Sequence, residues 1–253
     1  MRNLTSLLLS ATCALGATNA VAAETCAVRS GALTVPLVEL YTSEGCSSCP
    51  PADRWLSRSL GSNTANFLAF HVDYWDDIGW PDRFASPAYS QHQRQRVAAT
   101  GSRTVYTPQV MAGTHVQGNW QKPAAWRRTL QEQRQAPPRA ALTLGLQRAG
   151  KGWQATLGAA PIGAPVVGAQ AWLALYVDAQ TTQVRAGENR GVSLRHDRVV
   201  RQLSGPWPLG DVAVSQRIAL LPDTAPWGVT AFVQGARGEI LQSLSLPATG
   251  CIQ

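Results

Sequence analysis

The sequence predicts an α/β domain with a mixed central sheet flanked by helices, followed by an all-β, sandwich-like domain. Three observations lead there. From about Leu33 to Gln135, apolar runs alternate with stretches of helical spacing. Pro137-Pro138-Arg139 then forms a stiff linker. Beyond it helical periodicity disappears, and strand-like runs are broken by Gly, Pro and Asn. The expected boundaries are 1–23 for an exported leader, 24–136 for the first domain and 137–253 for the second.

The leader is read from its chemistry. Arg2 supplies a short positive region and Leu4 to Leu15 an apolar one. Ala20-Val21-Ala22 and Val21-Ala22-Ala23 are both small-residue cleavage sites. That is the pattern of a secretory signal peptide, with an apolar core too short to span a bilayer. The expected product is periplasmic or secreted, with no membrane span after cleavage. Removing Arg2 takes the formal charge from +7 to +6. The excess is scattered arginine, with Lys122 and Lys151 the only lysines, and it forms no dense basic run. A nucleic-acid partner wants a clustered basic face with stacking aromatics, so none is expected.

The elements follow in order. "LTVPLVELYT" is a buried-strand candidate. Pro50-Pro51 opens a helix in which Ala52, Trp55, Leu56 and Leu60 share a face, and Gly61 suits its end. "ANFLAFHVDY" is a second strand, and "WDDIGWPDRF" a loop. Ser86 caps the next helix, with Pro87 at its first position and Thr100-Gly101 at its end. "TPQVMAGTHVQG" reads as two short strands about Gly113. A last helix starts near Pro123 with Trp126 and Leu130 on one face. The order is β-α-β-α-β-β-α. In the second half, "AALTLGLQR", "GWQATLGA", "AQAWLALYVD", "QRIALLP" and "WGVTAFVQGARGEILQSLSL" are the strands, with Trp153, Trp172, Trp207 and Trp227 as bulky core material. A sandwich of about 110 residues fits.

Four cysteines follow the leader: Cys26, Cys46, Cys49 and Cys251. In an oxidising compartment disulfides persist. Cys26 and Cys251 stand at the two chain ends, which often lie close together. Pairing them as a structural disulfide leaves Cys46 with Cys49, one of three pairings that four cysteines allow. Cys46 and Cys49 sit between a strand and a helix. Free N–H groups and the positive dipole end of a helix stabilise a thiolate there, and the thiolate is the reactive species. The outer thiol attacks a disulfide, and the inner one resolves the mixed disulfide. Pro50 and Pro51 start the regular helix after Cys49, so Cys46 stands a turn outside it and feels less of the dipole.

A strand, a Cys-x-x-Cys, a helix and then Thr107-Pro108 entering an apolar strand together resemble the thioredoxin fold, over about 105 residues. The resemblance implies that Cys46 is the attacking cysteine and Cys49 the resolving one. It also implies that Pro108 is a cis-proline, with Thr107 beside it pairing with the substrate backbone. Two departures stand out: Ser47-Ser48 between the cysteines, and a Trp-rich insertion from Trp75 to Phe84. More narrowly, "ELYTSEGCSSCPPAD", "HVDYWDDIGWPD" and "AGENRGVSLRHDRVVRQL" resemble a family of secreted bacterial proteins, the domain of unknown function 1223 family.

Glu39 lies in the strand leading to the cysteines, near where thioredoxins keep a buried carboxylate. Buried there, its pKa is expected to rise and allow it to relay a proton to Cys49; the alternative is an exposed edge glutamate. The sequence therefore points to exchange with protein thiols or disulfides, with no cofactor. One rival is copper(I) held by the two thiols with His71 or His115. The other is a binding scaffold with a structural Cys46–Cys49 disulfide, presenting Trp75 and Trp80. His92 reads as solvated in a Gln/Arg-rich helix, His196 as lacking a partner cluster, and Asp76-Asp77 as a solvated turn. The second domain is expected to dock a partner or cover the site.

Overall fold

The structure is a computed structural model that describes residues 25–251 except 63, 119, 211 and 219–225. The leader, with Arg2, Leu4 to Leu15 and the cleavage sites, lies outside the described residues, as does the end of "QRIALLP". The architecture is mixed α/β, dominated by sheet. Its strands and helices in chain order are β1 (Thr25–Arg29), β2 (Leu37–Thr42), α1 (Pro50–Ser59), β3 (Asn66–His71), α2 (Pro87–Ala99), β4 (Gln109–Ala112), β5 (His115–Val116) and α3 (Pro123–Gln135). Then come β6 (Ala140–Ala149), β7 (Gly152–Pro161), β8 (Gln170–Val177), β9 (Gln180–Gln183), β10 (Ser193–His196), β11 (Val199–Pro208), β12 (Val212–Ile218), β13 (Trp227–Gln234) and β14 (Ile240–Pro247).

Local signals account for the helix ends. α1 begins at Pro50, whose missing N–H is of no consequence at a helix start. Cys49 is its N-cap and receives Ala52 and Asp53 N–H on its carbonyl at 2.8 and 3.2 Å. Gly61 falls in a short 3₁₀ turn, Leu60–Ser62, that extends the helix. Ser86 Oγ accepts the Ala88 N–H at 3.3 Å and caps α2. Asp73–Ile78, the end of the expected second strand and the start of the Trp loop, is a 3₁₀ helix.

One sheet of eight strands runs β14-β13-β8-β11-β3-β2-β4-β5. Within it β2 and β3 are parallel in the register Leu37↔Asn66, whereas β4 is antiparallel to β2 and β5 to β4. β11 joins the halves: it is parallel to β3 at Val199↔Ala69 and antiparallel to β8. A second sheet, β1-β6-β7-β12, is wholly antiparallel, and β9 and β10 form a separate ribbon.

Among the described residues strand pairing thus crosses the expected boundary at Pro137 twice, because β1 pairs with β6 and β11 with β3. The second sheet packs against the part of the eight-stranded sheet that continues the first half's strands. Residue texture reports local structure only; edge-to-edge pairing is non-local, so the seam is invisible to it.

Alternation along the strands divides the core. Leu37, Tyr41, Leu68 and Phe70 share one face with Trp172, Tyr176 and Phe232, and α2 contributes Tyr89 and Val97 to the same cluster. On the opposite face Val38, Leu40 and Val110 meet Leu56, Trp126 and Leu130 of α1 and α3. Further along that face Leu173, Leu175, Val229 and Ala231 pack against Leu142, Leu144 and Leu157 of the second sheet. β2 is buried at every position, which is why it reads as a continuous apolar run and not as an alternation.

Candidate functional site

Cys46 and Cys49 form a disulfide, Cα–Cα 5.4 Å, in the turn between β2 and α1. Cys46 N–H donates to Ser43 O and Cys49 N–H to Cys46 O, both at 3.2 Å, so the cysteines close a tight turn directly onto the helix start. Both are 0% exposed, while Ser47 and Ser48 between them face solvent. Cys26 and Cys251 are also bonded, Cα–Cα 5.4 Å, tying β1 to the end of the chain.

The Thr107-Pro108 peptide is cis. Its loop enters β4, which lies beside β2, and the Trp75 indole N–H donates to Thr107 Oγ1 at 2.7 Å. Trp75 Cβ lies 3.2 Å from where a side chain on Gly45 would begin. A side chain at Gly45 would crowd the Trp body, and this one side chain spans from Gly45 to Thr107. Gln93 buttresses the loop, donating to Tyr106 O at 2.9 Å and Gln109 Oε1 at 2.7 Å. Trp80 donates to Glu44 Oε2 at 2.9 Å. Both tryptophans are partly buried and hydrogen-bonded inward, not presented as an open surface.

Glu39 is fully buried but does not behave as expected. Its carboxylate accepts from Arg96 Nε at 2.6 Å, contacts His92 Nε2 at 2.9 Å and accepts from Tyr41 Oη at 3.1 Å. Burial alone pushes its pKa up, but the Arg96 charge and the His92 contact outweigh it and hold the carboxyl at about 2. The expectation of a raised pKa is corrected. The side chain faces α2 alongside Tyr41, whereas the neighbouring Val38 and Leu40 face α1. His92 is likewise corrected: it is 3% exposed, on the buried face of α2.

The carboxylates beside the cysteines are others. Glu44 stands two residues before Cys46, and Asp53 one helical turn after Cys49. Between them lies His196, 1% exposed, with Nε2 3.5 Å from Glu44 Oε1 and Nδ1 3.8 Å from Asp53 Oδ1. Burial pushes this imidazole down, yet its contacts with Asp53 and Glu44 carry it to about 10, so it is a buried cation at neutral pH. Its ring meets His71 edge-on at 4.8 Å. His71 Nδ1 lies 2.6 Å from Asp82 Oδ2. Burial works against the Asp82 charge too, but His71 and the N–H groups of Glu44 and Phe84 keep its carboxyl at about 2. The reading of His196 as lacking partners is thus corrected: its partners come from the other half of the chain. Asp76 accepts the Asp82 N–H at 3.0 Å and is no free turn residue.

His71 and His115 are not brought together. They belong to β3 and β5, with β2 and β4 between them, a separation of about 14 Å at ordinary strand spacing. Among the described residues no group of three His, Cys, Asp or Glu is arranged to hold a metal ion.

The loop between β9 and β10 completes the site. Asn189 Nδ2 donates to Glu44 O at 2.8 Å and to Cys46 O at 3.0 Å. Glu188 Oε2 accepts from Ser47 N–H at 3.0 Å and Ser47 Oγ at 2.7 Å. Sequence reasoning missed Glu44, Asp53, Glu188, Asn189 and the role of His196. The flanking positions of Glu44 and Asp53 were available signals; nothing local marks the other three.

Two solved structures are similar. One is the crystal structure of an Agrobacterium tumefaciens protein, 26% identical with a TM-score of 0.55, covering 84% of this chain and 94% of that one. The other is HBP35 of Porphyromonas gingivalis, 13% identical with a TM-score of 0.60, covering 85% of this chain and 76% of that one; it shows likeness of fold alone. No curated protein matches the chain. Residues 37–234, which run from β2 through the cysteine turn and the covering loop to β13, match the model of a family described as proteins of unknown function, DUF1223, and the chain belongs to that family.

Proposed function

We propose that the protein is an exported thiol–disulfide oxidoreductase acting on protein thiols or disulfides. Cys46 is its attacking sulfur, Cys49 the resolving one, and Thr107-Pro108 the segment that meets the substrate backbone. The observation that carries this reading is the placement of the Cys46–Cys49 disulfide on the capping turn of α1, with Trp75 bridging from the adjacent Gly45 to Thr107. The strand order β3-β2-β4-β5, with β2 and β3 parallel and helices on both faces, supports the thioredoxin-like assignment. Export is supported by the leader and by two disulfides; no helix among the described residues is long and apolar enough to cross a membrane.

Exchange runs by thiolate attack: in the reduced pair Cys46 attacks a substrate disulfide and Cys49 then attacks Cys46 Sγ to release the substrate, and from the oxidised pair the same steps run in reverse. A substrate thiolate attacks Cys46 Sγ, the Cys46–Cys49 bond breaks, and Cys49 leaves as a thiolate that takes a proton. A second substrate thiolate then attacks the substrate sulfur of the mixed disulfide and releases Cys46. Two electrons and two protons pass to the pair, and the substrate dithiol becomes a disulfide.

The test is trapping. Cys46→Ser should abolish exchange with a reduced test protein, and reduced Cys49→Ser, offered a disulfide-bonded test protein, should accumulate a mixed disulfide through Cys46 as one substrate thiolate leaves. A doubly substituted protein that still exchanges refutes the mechanism. One observation favours a second reading, the structural staple: both cysteines are wholly buried. On that reading neither single variant forms an adduct, and both only lose stability.

A further inference from the structure

A disulfide with no exposed surface cannot be attacked until something moves. The element hydrogen-bonded onto the cysteine turn is residues 184–192, the loop at the end of the β9–β10 ribbon. Its tip, 185–191, carries no large apolar side chain. It is held onto the cysteine turn by the two Asn189 amide bonds and the two Glu188 carboxylate bonds already described. The loop is shaped independently of that contact. Val184 N–H donates to Val192 O at 3.0 Å, Gly191 N–H to Val184 O at 2.9 Å and Val192 N–H to Asn189 O at 3.0 Å. Gly187, at φ 70°, turns the chain against Gly79. A preformed tip without a large apolar side chain, held by polar bonds of which one pair is exposed and by the close approach of Gly187 to Trp80, belongs to the easily opened part of a structure.

What the tip occupies is informative. Glu44 O and Cys46 O are acceptors and Ser47 N–H is a donor, three backbone groups within four residues around the attacking sulfur. An extended polypeptide presents N–H and C=O groups that can satisfy such a row; a small monothiol presents few. Resting on the exchange reading above, we infer that the Glu188-Asn189 tip is an internal stand-in for substrate backbone. It must be displaced from Glu44, Cys46 and Ser47 before Cys46 can react, and this selects extended thiol-bearing segments of proteins over small thiols.

The experiment uses the full exported chain and Glu188→Ala/Asn189→Ala. Reduction of Cys46–Cys49 is followed by alkylation and mass measurement with three reductants: dithiothreitol, glutathione, and an unstructured peptide with one cysteine. Dithiothreitol passes two electrons and two protons to the pair and closes to its cyclic disulfide. The wild type should react faster with the peptide than with glutathione at equal thiolate concentration. The double variant should react about tenfold faster with dithiothreitol and lose the preference, because several net-favourable bonds that hold the cover are gone. A folded double variant reduced at the wild-type rate, or a wild type without preference, overturns the inference. Should the variant fail to fold, hydrogen exchange in the wild type decides. Ser47 N–H should be far less protected than the β2–β3 ladder, and equal protection overturns the inference. The two claims fail separately. Unreactivity toward every protein thiol, alongside cover-dependent reduction by dithiothreitol, refutes the exchange reading alone. Exchange that ignores the cover refutes the stand-in alone.

Discussion

Glu39→Gln should destabilise the fold by leaving the buried Arg96 charge without its carboxylate. Glu39 is 0% exposed and Arg96 1% exposed, at 2.6 Å, with the remaining Arg96 donors on Gly238 O and Gly113 O at 2.5 and 2.7 Å. Arg96 therefore joins β2, the turn after β4 and the turn after β13 through one guanidinium. Neutralising Glu39 leaves that charge buried with carbonyls alone, and breaking a buried pair in this way costs about 3–5 kcal/mol. The carboxyl itself gives an independent figure: depression from 4.5 to about 2 corresponds to about 3 kcal/mol at ~1.4 kcal/mol per unit. The sign follows from a lowered folded-state pKa. The contribution is complete above pH 4.5 and is lost as pH falls toward 2. Urea unfolding at pH 7 should show Glu39→Gln less stable by about 3 kcal/mol, a large share of the ~5–15 kcal/mol of a typical domain. Between pH 5 and 3 its stability should fall less steeply than that of the wild type, leaving the slope that Asp82 contributes. The folded variant should still exchange at the wild-type rate at neutral pH. A loss below about 1 kcal/mol refutes the ion-pair argument, and a large fall in exchange by a folded variant restores the proton relay.

Other expectations follow from the same geometry. His196 is raised from 6.5 to about 10, so its contribution is complete below pH 6.5 and is lost as pH rises through 10; thermal melts should weaken across that interval, and His196→Gln should flatten the profile. The groups facing His196 are Glu44, Asp53 and His71, with Asp82 behind His71, so a profile unchanged by the substitution refutes its cationic state. Cys26 and Cys251 are separated by 225 residues; replacing both with Ser should cost about 3–5 kcal/mol by chemical denaturation, through freedom regained by the unfolded chain. Leu130→Ala empties a 3%-exposed site between α3 and the sheet and should cost about 2–5 kcal/mol; a neutral result would show that α3 is not packed there.

Much of the first half was legible because its punctuation is local. Pro50, Ser86-Pro87 and Pro123 mark the three helix starts, and continuous apolar runs mark β2 and β3. What was illegible has a physical pattern. α2 buries Ser90, His92, Gln93 and Arg96 alongside Tyr89 and Val97, so its inward face is polar and reads as solvated; the burial is sustained by Glu39 on another element. β11 reads poorly because its exposure is mixed and Gly205-Pro206 interrupts it, and β9 and β10 form a largely polar ribbon. The same blindness hid the site. Cys46, Cys49 and Thr107-Pro108 carry a spacing that can be read, whereas Glu188, Asn189 and His196 reach the cysteines from more than a hundred residues away, through pairing that no local pattern records.

In the proposed function Cys46–Cys49 is an exchangeable disulfide and Cys26–Cys251 a fixed one. Equilibrating the protein in glutathione buffers of graded potential, then alkylating and mass-mapping each cysteine, tests it directly. Cys46–Cys49 should titrate at a potential above about −300 mV while Cys26–Cys251 stays oxidised. A Cys46–Cys49 pair that remains oxidised throughout that range contradicts it and makes the pair a staple.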